Sequence, residues 1–140
     1  MNDDQYYAED FFNHELVKQI MEEFSWPIEY QLIDGDFFVQ IKFPNCTIDI
    51  SSDGQGGVEM EFLTYDSGKP LNITPGVIFE VTDFDPNTLE LEDIIEIWPN
   101  IEDTKRQIRN RFKILQGFFI PFIKGEDYSW VEAAIKWNLS

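Results

Sequence analysis

The sequence predicts an α+β domain: an N-terminal helix, an antiparallel β-meander of four to five strands, and two to three C-terminal helices packed on one face. Three observations carry this. Apolar residues recur at helical intervals over residues 14–24 and again beyond residue 100, they alternate with polar ones in between, and short Gly- and Asp-rich stretches separate the alternating runs. Strands with one apolar and one wet side need helical cover on one face only. With 140 residues, no repeat and no dividing linker, the chain reads as a single domain, 1–140. A content of 43% hydrophobic and 16% aromatic residues sets it apart from disordered chains.

The elements follow in order. HELVKQIMEEF, residues 14–24, sets Leu16, Val17, Ile20, Met21 and Phe24 on one helical stripe, and Pro27 ends the helix near Trp26. IEYQLI and DFFVQIKF then form a hairpin about Asp34 and Gly35, a favoured tight-turn pair, with Phe37, Val39, Ile41 and Phe43 inward. CTIDIS and VEMEFLTY, joined by SSDGQGG, continue the alternation through Ile48, Ile50, Val58, Met60 and Phe62. DSGKPLNITPG reads as a polar loop and VIFEVTDF as a fifth strand. In DPNTLELEDIIEIW, Asp85 and Pro86 suit a helix start and Leu91, Ile94, Ile95 and Trp98 share a stripe, although Leu89 and Leu91 leave a strand open. Pro99 breaks this element and Asn100 caps the next, whose residues Ile108, Phe112, Leu115, Phe119 and Phe122 fall within an arc of about 80 degrees. SWVE, residues 129–132, opens a last helix as a capping box, with Trp130, Ala134 and Trp137 on one side.

The charge balance narrows the function. The formal net charge is -17, from 27 acids against 10 bases, and TKRQIRNRFK holds five of those bases. Lys105, Arg106, Arg109 and Lys113 border the apolar arc of their helix, Arg111 lies on its other flank, and Glu102 stands four residues before Arg106 to pair with it. A nucleic-acid helix needs positive surroundings and displayed aromatics. Here the surroundings are acidic and the aromatics face inward, so the stretch reads as a flank that complements acids of the same fold. Neither nucleic acid nor an anionic membrane is expected as a partner. The first twelve residues carry four acids and no base, the reverse of a targeting leader, and FFIPFI is far short of a membrane span. The lone Cys46 suits a reducing, cytoplasmic setting and a buried strand position.

Catalytic and metal signatures are not evident in the sequence. Asp83, Asp85 and Asn87 mimic the start of a calcium loop, but Thr88 stands where glycine is needed and Ile94 where a bidentate acid is needed. His14 and Cys46 are too few for a zinc centre or a histidine-assisted nucleophile. The Gly-rich stretches lack phosphate-binding spacing, and no carboxylate pair stands out among so many acids. The expectation is a non-enzyme without metal or cofactor.

What remains is a surface. The side of the sheet opposite the inward residues would carry Glu29, Gln31, Gln40, Lys42, Asp49, Glu59, Glu61 and Glu80, extended by Asp83, Asp85, Glu90, Glu92, Asp93 and Glu96. Such a negative plate speeds encounter with a positive protein, and outward Tyr30, Phe38 and Tyr65 would anchor the complex. An ordinary solvated sheet face is the alternative.

The acidic "TDFDPNTLELED", the -17 balance and the tail "GEDYSWVEAAIKW" together resemble the immunity proteins of bacterial contact-dependent or polymorphic toxin systems. The resemblance is one of type over the whole chain and carries no binding residue across. It implies a cytoplasmic protein that binds and blocks a cognate toxin, often a basic nuclease, by covering its active site or a nearby surface. A small acidic secretion chaperone, a small enzyme or ligand-binding α+β domain, and a nucleic-acid mimic are the alternatives. The oligomeric state is left open.

Overall fold

The computed structural model describes residues 11–35, 38–53, 57–93 and 100–139. Helix α1, His14–Met21, is capped by Asn13, whose side chain accepts the Leu16 amide at 2.8 Å. Leu16, Val17, Ile20 and Met21 are buried, each worth on the order of 2 kcal/mol. At its far end the Trp26 indole N–H donates to the Met21 carbonyl at 3.0 Å, satisfying one of the acceptors that a helix end leaves open.

Strands β1 Gln31–Gly35, β2 Phe38–Phe43, β3 Cys46–Ser52, β4 Val58–Asp66 and β5 Lys69–Ile73 form one antiparallel sheet in the order β1-β2-β3-β4-β5. Val39, Ile41, Phe43, Ile48, Ile50, Val58, Met60 and Phe62 are buried on its inner face, as the alternation requires. The expected turn at Asp34 and Gly35 is corrected. Both residues lie in β1, paired with Val39 and Phe38, and the Phe38 ring rests across Gly35 where a side chain would otherwise stand. The connecting residues 36 and 37 lie outside the described residues, and with them the inward placement of Phe37.

Two further expectations exchange places. The polar loop contains β5, which pairs with β4 around Ser67 and Gly68. These have φ of 52° and 82°, the left-handed geometry of a two-residue hairpin turn. The supposed fifth strand is helix α2, Pro75–Thr82, entered through Thr74 with Pro75 in the first turn. Val77, Ile78 and Phe79 are all buried, so this helix lacks the polar face that would have revealed its period. The helix expected from Pro86 is a 3-10 turn, Pro86–Thr88, whose Asp85 cap accepts the Asn87 amide; residues 89–93 run on irregularly. The proposed stripe of Ile94, Ile95 and Trp98 lies outside the described residues.

Helix α3, Ile101–Ile114, starts at Asn100 as expected, the Asn100 side chain accepting the Asp103 amide at 2.9 Å. It continues through a π-helical stretch, Leu115–Phe119, into α4, Ile120–Ile123. Pro121 accounts for the wide turn: it has no N–H for the carbonyl of Gly117, and its ring crowds that carbonyl. Despite the interruption Ile108, Phe112, Leu115, Phe119 and Phe122 are all buried. Gly125, at φ 77°, closes α4: its amide reaches the Phe122 carbonyl and the Glu126 amide the Pro121 carbonyl, the reciprocal pattern of a left-handed helix end. Helix α5, Val131–Leu139, buries Ala134 behind the buried Trp130, but Trp137 is half exposed instead of lying on the inward side. At its entry the Ser129 amide donates to Asp127, in place of the capping box expected from Ser129 and Glu132.

The helices meet the sheet from one side. Phe62 of β4 packs on Phe119 at 4.4 Å and meets Trp130 edge to face at 5.7 Å, while Trp26 packs on Phe43 and Phe112. Two polar contacts fix α3 on β4: the Val58 amide donates to Gln107 at 2.8 Å, and Arg111 donates to the Val58 carbonyl through Nε and Nη2. No helix among the described residues is long and apolar enough to cross a membrane.

Candidate functional site

The register of the sheet decides which predicted site residues meet. Gln40 pairs with Asp49, and Asp49 with Glu61, so these three form one row across β2, β3 and β4 on the outer face. Phe38, Ser51 and Glu59 form the adjacent row, and Lys42 lies opposite Thr47. The centre of the outer face therefore holds three carboxylates, Asp49, Glu59 and Glu61.

Their electrostatics are unfavourable on their own. The Oδ1 atom of Asp49 is buried with no hydrogen-bond partner, and burial pushes the Asp49 carboxyl above its ordinary range against the pull of a hydrogen bond from Gln40. Glu61 is raised by burial first and then by the charges of Glu59 and Asp49. Like charges facing across strands destabilise a sheet. Among the described residues no lysine or arginine forms an ion pair with Asp49, Glu59 or Glu61. The nearest compensation is electrostatic: Arg111, whose guanidinium burial pushes down, is held up by Glu59.

The basic stretch is committed elsewhere. Lys105 pairs with Glu102, Arg106 with Asp103, Arg109 with Glu23 and Glu92, and Lys113 with Glu92. The expected Glu102–Arg106 pair is thus replaced by two pairs at a spacing of three.

The other predicted site residues lie away from the plate. Tyr30 is half-buried against Trp26 and Phe43, on the inner side, so it is no outward anchor. Phe38 is half-buried over Gly35, and Tyr65 is 61% exposed on the outer face. Glu29 is exposed just before β1, whereas Glu80 is exposed on α2 and leaves the sheet altogether. Asp83 ends α2 in a left-handed conformation, and Asp85 caps the 3-10 turn. Glu92 is held by Arg109 and Lys113, and its backbone is clasped at both its amide and carbonyl by Asn110 of α3. Phe84 packs on Phe79 and Phe118. The segment carrying Asp83, Asp85, Glu90, Glu92 and Asp93 therefore runs along the helical layer and does not extend the sheet's plate. Glu96 lies outside the described residues.

One feature escaped the sequence reading. A groove of about 400 Å³ wraps the end of the sheet where the β2–β3 turn, the end of β4, α4 and the start of α5 come together. Phe43, Thr64 and Phe122 form its buried wall, Thr47 and Leu63 face it from the outer side, and Tyr65 and Tyr128 are its exposed flanks. Among the described residues no charged side chain lines it. Its parts lie far apart in the chain, so no local pattern announced it. Cys46 also borders it, its thiol pushed up to about 12 by burial and thus neutral. Among the described residues no three His, Cys, Asp or Glu side chains are grouped to hold a metal ion. Comparison with protein-family models, curated proteins and solved structures gives no significant match.

Proposed function

We propose that this chain is an acidic protein-binding inhibitor, acting as an immunity protein that neutralises a cognate basic toxin by direct contact with its outer sheet face. The observation that carries the reading is the cluster of three carboxylates at the centre of that face. Asp49, Glu59 and Glu61 have no ion-pair partner among the described residues, although four bases of α3 are paired internally. A guanidinium or ammonium from a partner, set against the exposed Glu59 and the half-buried Glu61, would offset the negative charge gathered there. The surrounding negative field would steer a positive protein toward it.

Affinity capture from the native cell, washed at low and then moderate salt, tests the proposal. One basic protein retained in equal amount supports it; turnover of a small substrate with no protein retained overturns it. With the partner in hand, Glu59→Lys with Glu61→Lys should slow association by about ten-fold while leaving the fold intact. Glu80→Lys, on α2, serves as the control and should change the rate far less. Equal effects from the two variants would remove the sheet face from consideration.

A further inference from the structure

Resting on the docking reading above, the geometry points to the Tyr65–Tyr128 groove as the anchor pocket of that interface, taking an apolar side chain that the basic partner carries between its cationic residues. Three observations lead there.

The first is continuity. Thr47, Leu63 and Tyr65 belong to the same outer face as Asp49 and Glu61, one step further along β3 and β4. A partner segment lying along β4 would meet the carboxylates and the groove together.

The second is chemistry. Three polar side chains of the groove are already engaged: the Thr64 hydroxyl donates to the Leu71 carbonyl, the Asn45 side-chain amide to the Ile123 carbonyl, and the Tyr128 hydroxyl to the Asn45 carbonyl. With a neutral Cys46 and no charged lining among the described residues, the groove offers mainly contact area, its remaining hydroxyls being those of Thr47 and Tyr65. A charged or strongly polar occupant would leave its own groups unsatisfied there.

The third is charge complementarity. The groove is neutral; along β3 and β4 its next outer-face neighbours are Asp49 and Glu61, while Lys42 of β2 flanks Thr47, so the matching segment is apolar at one position and cationic on the β4 side. At about 400 Å³ the space accommodates a large aromatic side chain, and such residues in partly enclosed pockets dominate interface energetics.

The test uses the whole chain and three end-capped tripeptides, Lys-Phe-Lys, Lys-Ala-Lys and Glu-Phe-Glu, titrated while amide and side-chain NMR shifts are followed. Lys-Phe-Lys should move resonances of Cys46, Leu63, Tyr65 and Tyr128 together with those of Asp49 and Glu61. Lys-Ala-Lys should move the carboxylate row only, and more weakly. Tyr128→Ala, at an exposed position, should weaken Lys-Phe-Lys by about five-fold or more and leave Lys-Ala-Lys unchanged. Identical shifts from the two cationic peptides, confined to the carboxylates, would overturn the anchor pocket and leave the acidic-face reading standing. Binding of Glu-Phe-Glu as tight as that of Lys-Phe-Lys would overturn the cationic partner segment. Absence of shifts with either cationic peptide would overturn both readings.

Discussion

Asp49 shows how one side chain carries the tension of the whole outer face. Its carboxyl, and that of Glu61, take up a proton more readily in the folded chain than in the unfolded one, because burial penalises the charged form of both and, at Glu61, the charges of Glu59 and Asp49 add to it. The sign follows. The stability these two groups contribute is full below their ordinary values of 3.8 and 4.5 and is lost as pH rises through the raised folded values. Above those raised values both are charged and work against the sheet. Asp49→Asn removes the central charge without changing shape, so its urea midpoint should exceed that of the parent at neutral pH and the difference should shrink on acidification. Asp127, held low by Ser129, acts in the opposite sense but is common to both proteins. A variant no more stable than the parent at neutral pH would contradict the assignment. Gln107 is the opposite kind of residue, a buried polar group that is satisfied. Gln107→Leu strips the Val58 amide of its acceptor and should cost about 1–3 kcal/mol in urea unfolding. A loss well under that range would mean that another group takes up the amide.

At the scale of elements, the parts that the sequence made legible are those with an uneven exposure. Helix α1 and the run from Asn100 to Phe122 each have one buried stripe, and β2 to β4 each have one buried face, so the period is written in their polarity. Helix α2 is buried on most sides, and its β-branched, alternating VIFEVT imitates a strand. Its real signature was Thr74 followed by Pro75. Strand β5 was hidden by Pro70, and its signature was the Ser67–Gly68 pair, whose left-handed φ values turn the chain back on itself. Two glycines now separate conformation from packing. Gly68, at φ 82°, has open space where a Cβ would stand, so Gly68→Ala should cost about 1 kcal/mol from backbone strain alone. Gly125, at φ 77°, would in addition push its Cβ to 2.7 Å from the Asn45 side chain, the one that donates to Ile123 and ties the β2–β3 turn to α4. Gly125→Ala should therefore cost clearly more than Gly68→Ala in thermal unfolding, and equal losses would show that Asn45 yields without consequence.

Over the whole molecule, the candidate site was half legible. Asp49, Glu59 and Glu61 share a face because strand parity demands it, but Glu80 left the plate with the misread helix, and the groove joins residues from 43 to 131 that only the fold brings together. The same scale governs how the chain responds to salt. The ion pairs of α3, α5 and Lys124–Glu126 are short, between partners mostly at the surface, and such pairs contribute about 0–1 kcal/mol each. Against them stands the repulsion within a chain of net charge -17, which acts over much longer distances. Raising ionic strength from about 0.01 M to 0.15 M shortens the screening length from roughly 30 Å to 8 Å. Pairs within 4 Å lie inside either length and lose little, whereas repulsion between carboxylates across the molecule is largely removed. Sodium chloride should therefore raise the Tm over this range, by about 3 °C if roughly 1 kcal/mol of repulsion is relieved. A falling Tm in the same titration would show that the local pairs outweigh the global field, and with it would go the electrostatic basis for long-range steering of a cationic partner.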